Sequence, residues 1–249
     1  MPYEVAATST APALIIYLLD KSSSMNAEVN GVRKIHLVSA TLTQVVREMV
    51  IRSMKGPVPA PRYRIAIYAY NGQVQDVLGG PRAITDVVER GVPVLEPSGL
   101  TNTAKAFAAA EQLIIGERAA LRDCPAPLVC HLTDGQYNGD DPLPVVERIK
   151  QMAFPDGPVL VENVFFDADA LHRPVTDPYE WPGVVSEDDL SGDTAKQLFS
   201  MSSPIPASYL NLFSDKGYSL RPDARLMFPG DTPEMIEAAF TMSGMTPTV

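Results

Sequence analysis

The sequence predicts an α/β protein built on a doubly wound, mostly parallel six-stranded sheet with helices on both faces. Short uninterrupted apolar runs alternate along the chain with longer segments in which apolar residues recur every three or four positions. The runs are typical of strands buried on both faces, and the longer segments are typical of amphipathic helices. Strands that alternate with helices pair in parallel through right-handed crossovers. For such a sheet we expect the strand order 3-2-1-4-5-6, with strand 3 antiparallel at one edge.

The composition agrees with a globular α/β protein and disfavours two classes of partner. The chain has 249 residues, of which 45% are hydrophobic, so it can bury a substantial core. It carries 20 basic and 30 acidic residues, which gives a net charge of −10. This balance argues against binding to nucleic acid or to an anionic membrane surface. Proteins and cations are the partners that it favours.

The first predicted strand covers residues 13–19 and stops at an aspartate, Asp20. No basic residue precedes this run, and Asp20 and Lys21 follow it in place of a small-residue cleavage site. We therefore predict neither an export signal nor a membrane span. The two cysteines, Cys124 near a helix end and Cys130 inside a strand, favour buried thiols over a disulfide. The expected location is the cytoplasm.

The other elements follow from the same two patterns and from turn signals. In the first helix, for example, Ile35, Val38 and Leu42 recur at helical spacing. Asn71-Gly72 is typical of a two-residue hairpin, which makes the third strand antiparallel. The predicted helices cover residues 31–54, 84–90, 104–121, 194–202, 207–216 and 233–242, and a further helix begins at Pro142. After residues 13–19, the predicted strands cover residues 64–70, 73–78, 127–133, 159–166 and 224–228.

Residues 167–193 break this pattern. They hold eight acidic residues against one basic residue, together with three prolines and the only tryptophan, Trp181. We interpret them as an acidic surface insertion, because such a segment cannot form a core of its own. A second cation site or a partner site is the alternative interpretation. Residues 1–249 are then one domain with this insertion and a C-terminal extension of short helices, a last strand and a last helix.

Polar residues follow the first strand in a pattern that suits a metal ion. Asp20, Ser22 and Ser24 occupy every second position, so an extended or turning loop can direct three oxygen atoms at one place. Hard cations prefer oxygen ligands of this kind. The alternative is an ordinary helix start, in which an aspartate or serine caps the first turn.

Two later loops repeat this arrangement. Residues 98–103 contain Thr101 just ahead of a predicted helix, and Thr133-Asp134-Gly135 ends a predicted strand. In the expected strand order, the strands that end at Asp20 and Asp134 are neighbours whose connections leave on opposite sides. Open α/β sheets bind ligands in the crevice at such a switch point.

These three stretches resemble the motifs of a known family. DKSSSM is similar to the Asp-x-Ser-x-Ser motif of the von Willebrand factor type A (VWA) domain, LTNTAKAF to its threonine motif and LTDG to its Thr-Asp-Gly motif. The resemblance implies a Rossmann-like fold with a metal-ion-dependent adhesion site. The five matching residues are Asp20, Ser22, Ser24, Thr101 and Asp134. Lys21 and Leu100 depart from the family pattern, the first by its charge and the second because a glycine is common there.

By this resemblance the protein is a non-enzymatic module for metal-dependent protein–protein interaction. The expected ion is Mg²⁺, with Mn²⁺ or Ca²⁺ as alternatives, because all the ligands are oxygen atoms. Only two carboxylates balance the ion, so an Asp or Glu of a protein partner can complete its coordination, with Lys21 and Tyr137 at the rim. The general likeness is to small intracellular bacterial VWA proteins of tellurium-resistance and related stress or conflict systems.

Two other functions compete with this interpretation. An aspartate after the first strand also occurs in Mg²⁺-dependent phosphatases with an aspartyl nucleophile, but these need a second acid two residues on, where this chain has Ser22. The sequence contains no glycine-rich phosphate loop and no nucleophile elbow. The histidines, His36, His131 and His172, are expected to be structural or solvated. A cation buffer based on the acidic insertion would need several weak sites and a preference for calcium.

Overall fold

A mixed sheet lies at the centre of the computed structural model, which describes residues 2–29, 31–91, 94–167 and 169–244. Its six principal strands are β1 (Ala13–Asp20), β2 (Tyr63–Tyr70), β3 (Val74–Asp76), β4 (Leu128–Thr133), β5 (Leu160–Phe165) and β6 (Met227–Pro229). They lie in the order β6-β5-β4-β1-β2-β3, and neighbours pair in parallel except β2 and β3. The predicted fold class and strand order are confirmed.

The edge of the sheet differs from the prediction in two details. A two-residue strand, Arg82–Ala83, also pairs with β2, so the sheet has a seventh strand. The β2–β3 loop contains three residues instead of two, because Tyr70 pairs with Val74. The side chain of Asn71 explains the longer loop, since its Oδ1 accepts from the backbone N of Gln73 at 3.0 Å and its Nδ2 donates to the carbonyl oxygen of Ser98 at 2.9 Å.

Helices cover both faces of the sheet. In the described residues they are α1 (Lys34–Ser53), α2 (Ile84–Arg90), α3 (Thr103–Glu117), α4 (Leu143–Lys150), α5 (Gly192–Met201), α6 (Ala207–Asp215) and α7 (Pro233–Gly244). α1 begins three residues later than predicted, because the short strands Glu28–Val29 and Val32–Arg33 pair ahead of it. α3 ends at Glu117, and residues 118–121 continue as turns. None of the helices that the structure describes is long and apolar enough to cross a membrane.

Apolar side chains pack against both faces of the sheet, as the uninterrupted apolar run of β1 predicts. Tyr17 and its alternate neighbours in β1 belong to the core on the side of α1, α2, α6 and α7. Ile16 and its alternate neighbours belong to the core on the side of α3, α4 and α5. Every residue of β1 is buried, so β1 is the central strand from which the first candidate loop emerges.

The last strand lies three residues later than predicted. The sequence pattern favoured residues 224–228, whereas β6 begins at Met227. Residues just before β6 make other backbone hydrogen bonds, because Arg225 N donates to the carbonyl of Val184 and Leu226 N donates to that of Ser203. Long-range partners therefore decide where β6 begins.

The acidic insertion, residues 167–193, is attached to the main core at several points. Leu171 and Leu190 form an isolated β-bridge, and Val184 and Leu190 are buried. The ring of Trp181 packs 5.8 Å from that of Phe228 in β6. The insertion contains a short 3₁₀ helix, Glu187–Asp189, and the start of α5 at Gly192. The composition of the segment did not predict this packing.

A buried carboxyl group lies in the middle of the sheet. Glu162 of β5 is fully buried, and the thiol of Cys130 in β4 donates to its Oε2 at 3.0 Å. Its other oxygen, Oε1, has no hydrogen-bond partner in the part of the chain that the structure describes. Burial raises the pKa of Glu162 to about 8, so this side chain is a neutral acid at pH 7. Cys124 and Cys130 are both buried free thiols.

Candidate metal centre

The two predicted aspartates lie at the C-terminal ends of neighbouring strands. Asp20 is the last residue of β1, and Asp134 directly follows β4, which pairs with β1. Thr133 links the two strand ends, because its Oγ1 donates to Asp20 Oδ2 at 2.8 Å and accepts from the backbone N of Gly135 at 2.9 Å. Both acids therefore lie at the switch point of the sheet, where open α/β folds bind ligands.

The loop after β1 orients two serine hydroxyls toward each other. The backbone N of Ser22 donates to Asp20 Oδ1 at 2.8 Å, which closes a tight turn. Ser22 Oγ lies 3.0 Å from Ser24 Oγ. Ser22 is also the N-cap of a 3₁₀ helix, Ser23–Asn26, but its side chain makes no capping hydrogen bond. The helix-capping alternative therefore does not account for the Ser22 hydroxyl.

Thr101 lies in a second loop that is fastened to the loop after β4. Its backbone N donates to Asn138 Oδ1 at 3.3 Å, and its carbonyl accepts from the backbone N of Asn138 at 2.7 Å. Thr101 is 3% exposed. The next residue, Asn102, caps α3 by accepting from the backbone N of Lys105 at 3.0 Å. Thr101 thus directly precedes the capped start of α3.

Backbone hydrogen bonds also join the first loop to the second. Ser23 N donates to the carbonyl of Gly99 at 3.1 Å, and Ser98 N donates to that of Lys21 at 2.8 Å. Together with the Thr101–Asn138 pair, these bonds hold three loops at one end of the sheet. The five residues predicted for the site lie in or directly beside these loops: Asp20, Ser22, Ser24, Thr101 and Asp134.

Burial raises the pKa of Asp20 to about 6. Hydrogen bonds from Ser22 and Thr133 lower the pKa in part, and the charge of Asp134 raises it further. Two acids that are close together and shielded from water oppose each other's ionisation. A cation bound by both would favour their ionised forms.

Asp134 has one oxygen with a partner and one without. Lys34 Nζ, at the start of α1, lies 3.4 Å from Asp134 Oδ2. Asp134 Oδ1 is buried and has no hydrogen-bond partner among the described residues. Burying a carboxylate oxygen without a partner destabilises the fold through lost solvation. A bound cation would offset this cost.

The side chains present fit a hard divalent cation. They supply carboxylate and hydroxyl oxygens, the donor set that Mg²⁺ and Mn²⁺ prefer. In the described ranges, no three His, Cys, Asp or Glu side chains are grouped as a metal site. An ion held by Asp20 and Asp134 would therefore need hydroxyls and water for the rest of its coordination.

A chain of buried polar side chains underlies the site. Tyr70 OH lies 2.6 Å from His131 Nε2, and His131 Nδ1 lies 2.8 Å from Asn163 Oδ1. The amide of Asn163 donates to the carbonyl of Leu198 and to Ser202 Oγ, which leaves its Oδ1 to accept from His131. The neutral imidazole then accepts from Tyr70, and burial lowers the pKa of His131 to about 4. Both ring nitrogens are engaged, so His131 is a structural residue.

Several contributors to the site were not predicted from the sequence. Thr133 was part of a quoted motif, yet only the structure shows that its hydroxyl holds Asp20. Lys34 and Asn138 had no role in the prediction. The sequence did contain an indication for Lys34. A lysine as the first residue of a helix opposes the helix dipole, so an acidic partner is expected near it.

The two residues that depart from the expected motif pattern lie beside the predicted ligands in sequence. Leu100 is 66% exposed beside Thr101, and Lys21 is half-buried after Asp20. Tyr137 OH accepts from Gln197 Nε2 at 3.1 Å, which ties the third loop to α5. Gly135 packs against the same helix at φ +89°, where an added Cβ would lie 2.6 Å from Thr194 Cγ2.

The fold and the site define a class: an open, doubly wound α/β domain with carboxylate and hydroxyl side chains at its switch point. The sequence profile of the von Willebrand factor type A domain matches residues 15–155. The chain therefore belongs to the von Willebrand factor type A domain family. Domains of this family are typically interaction modules and are generally not enzymes. No curated protein matches the chain.

Solved structures agree with the fold. Proximal thread matrix protein 1 from the mussel byssus is 16% identical, with a TM-score of 0.54 over 96% of this chain and 48% of that chain. The SpRpn10 VWA domain is 9% identical, with a TM-score of 0.51 over 96% of this chain and 99% of that chain. The chain thus spans about half the length of the mussel protein. Likeness at these identities concerns the fold alone.

Proposed function

We propose that this protein is a non-enzymatic module for protein–protein interaction that depends on a divalent metal ion. The ion, Mg²⁺ with Mn²⁺ or Ca²⁺ as alternatives, would be held by Asp20, Ser22, Ser24, Thr101 and Asp134. When bound, the ion offers a coordination position to an Asp or Glu carboxylate of a protein partner. The observation that carries the proposal is the buried Oδ1 of Asp134, which has no hydrogen-bond partner within the described ranges.

The surrounding residues support this proposal by holding the ligands in place. Asp20 is fixed by Ser22 N and Thr133 Oγ1 at 2.8 Å each. Ser22 and Ser24 already bring their hydroxyls within 3.0 Å. A preorganised set of this kind loses little entropy when an ion binds. Because the ligand set contributes only two negative charges, the loaded site has no net negative charge to repel an acidic partner group.

The arrangement does not favour an aspartyl nucleophile. Both carboxylate oxygens of Asp20 accept hydrogen bonds, and the residue is fully buried. Ser22 stands where a phosphatase of that type would need its second acid. We therefore propose that Asp20 is a metal ligand. The setting in a stress-response or conflict system stays a prediction from the sequence likeness.

Magnesium is expected to stabilise the purified domain. If Mg²⁺ binds the folded state alone with a Kd on the order of 1 mM, about 10 mM Mg²⁺ adds ~1.4 kcal/mol to the free energy of unfolding. For a domain of this size that is a rise of roughly 3–6 °C in Tm. Differential scanning fluorimetry with Mg²⁺, Mn²⁺ and Ca²⁺ measures it. If none of the three ions shifts the Tm, a formed metal site is contradicted.

Asp134→Asn is expected to abolish metal-dependent partner binding while the fold survives. The substitution keeps the size of the side chain but removes one of the two charges that hold the ion. A partner carboxylate would then meet the charge of Asp20 without an intervening cation. The measurement is a pull-down from native lysate with and without EDTA, followed by the same comparison with the purified partner.

Asp140→Asn is the matched control, because Asp140 is an exposed residue later in the same loop. This variant should bind the partner like the wild type and should lose it in EDTA. If Asp134→Asn still binds the partner in EDTA, the partner must contact another surface of the protein. Turnover of a phosphoester by the wild type would favour the enzyme alternative.

A further inference from the structure

Lys34 is a basic side chain that the structure places against the candidate metal site. It is the first residue of α1, and its Nζ lies 3.4 Å from Asp134 Oδ2. The side chains are 14% and 4% exposed, so this is an ion pair largely shielded from water. Within the described residues, no other ion pair involves Asp20 or Asp134.

The position of Lys34 in its helix suggests that the charge serves the site. Positive charge at a helix N-terminus opposes the helix dipole, and the first turn of α1 contains no acidic residue to offset it. The partner that does offset it, Asp134, lies 100 positions away in sequence. Helix formation by itself gives no reason for a lysine here.

Lys34 and a metal ion can share Asp134, because they would use different oxygens. Lys34 contacts Oδ2, whereas Oδ1 has no partner in the part of the chain that the structure describes. The formal charges of Asp20, Asp134 and Lys34 sum to −1. A divalent ion would therefore leave a net charge of +1, instead of the neutral site that the two aspartates alone would form.

We propose that Lys34 couples the binding of the metal ion to the binding of the acidic partner group, so that each strengthens the other. This inference rests on the proposed metal-dependent function. In the absence of an anion, the ammonium group repels the ion and weakens its binding. Once the ion is bound, the remaining positive charge attracts a carboxylate, whose arrival in turn strengthens the hold on the ion.

The test compares Mn²⁺ binding by the wild type, Lys34→Met and Lys34→Gln, measured by isothermal titration calorimetry at pH 7.5. Methionine keeps the aliphatic length of the side chain. Glutamine is one atom shorter than lysine but keeps an uncharged hydrogen-bond donor. Both variants lack the charge, so we expect each to bind Mn²⁺ alone roughly tenfold more tightly than the wild type. Lys105→Met, at an exposed lysine in the first turn of α3, should bind like the wild type.

A second titration in acetate, a simple carboxylate probe, measures the coupling. Acetate should tighten Mn²⁺ binding by the wild type and by Lys105→Met more than by either Lys34 variant. If the wild type binds Mn²⁺ and both Lys34 variants bind it equally or more weakly, the coupling role is overturned and Lys34 only positions Asp134. If neither the wild type nor any variant binds Mn²⁺, the proposed function fails and the inference fails with it. Melting in EDTA checks folding, and either Lys34 variant that folds decides the question.

Discussion

Replacing Glu162 with glutamine is expected to remove a large dependence of stability on pH. Burial raises the pKa of Glu162 from 4.5 to about 8 in the folded protein. Between these two values the folded state holds a proton that the unfolded state has released. Each unit by which the pH rises in that window therefore lowers the free energy of unfolding by about 1.4 kcal/mol. From about pH 5 to pH 8 the loss sums to roughly 3–4 kcal/mol.

Glutamine at this position cannot ionise, so the variant should lack this part of the pH dependence. The stability difference between wild type and Glu162→Gln should then shift by roughly 3–4 kcal/mol in favour of the variant between about pH 5 and pH 8. Urea denaturation at intervals of pH measures it, and the result does not depend on any constant cost of the substitution. Glu89→Gln, at an exposed glutamate of α2, is the control. Parallel pH profiles for wild type and Glu162→Gln would show that Glu162 is ionised in the folded state.

Ile16→Ala and Ser24→Ala are expected to separate the core from the site. Ile16 is fully buried between the sheet and the helices α3, α4 and α5. Its truncation should cost ~2–5 kcal/mol through lost burial and a residual cavity. The metal-induced rise in Tm should persist, because the loops at the end of β1 are unchanged.

Ser24→Ala should give the opposite result. The side chain is half-buried and its hydroxyl lies 3.0 Å from Ser22 Oγ, so the metal-free stability should change by about 1 kcal/mol or less. The rise in Tm with Mg²⁺ should shrink, because one oxygen ligand is missing. Thermal melts with EDTA and with Mg²⁺ compare both variants. If Ser24→Ala proves as destabilising as Ile16→Ala, the loop has a structural role.

The sequence pattern and the family resemblance together were enough to predict the strand order and the proximity of Asp20 and Asp134. The apolar run of β1 required helices on both faces, and the alternation of strands and helices required parallel crossovers. Together with the expected strand order 3-2-1-4-5-6, these rules place the ends of β1 and β4 side by side. Asp20 and Asp134 were therefore predictable as neighbours, although they lie more than a hundred residues apart.

The errors in the predicted elements have long-range causes. The β2–β3 turn has three residues because Asn71 binds Ser98. β6 starts late because the residues before it pair with Val184 and Ser203. In both cases, contacts between distant segments override the local turn and strand preferences.

The sequence by itself determined which oxygen-bearing residues follow the central strands, because strand ends and loop starts are local features. Only the tertiary structure decided the electrostatic state of those residues. It brings Lys34 to Asp134, buries Asp20 enough to raise its pKa to about 6 and leaves Asp134 Oδ1 without a partner among the residues that the structure describes. It likewise makes Glu162 a neutral acid inside the sheet. Charge and solvation depend on distances between residues far apart in the chain, so these properties arise only when the chain has folded.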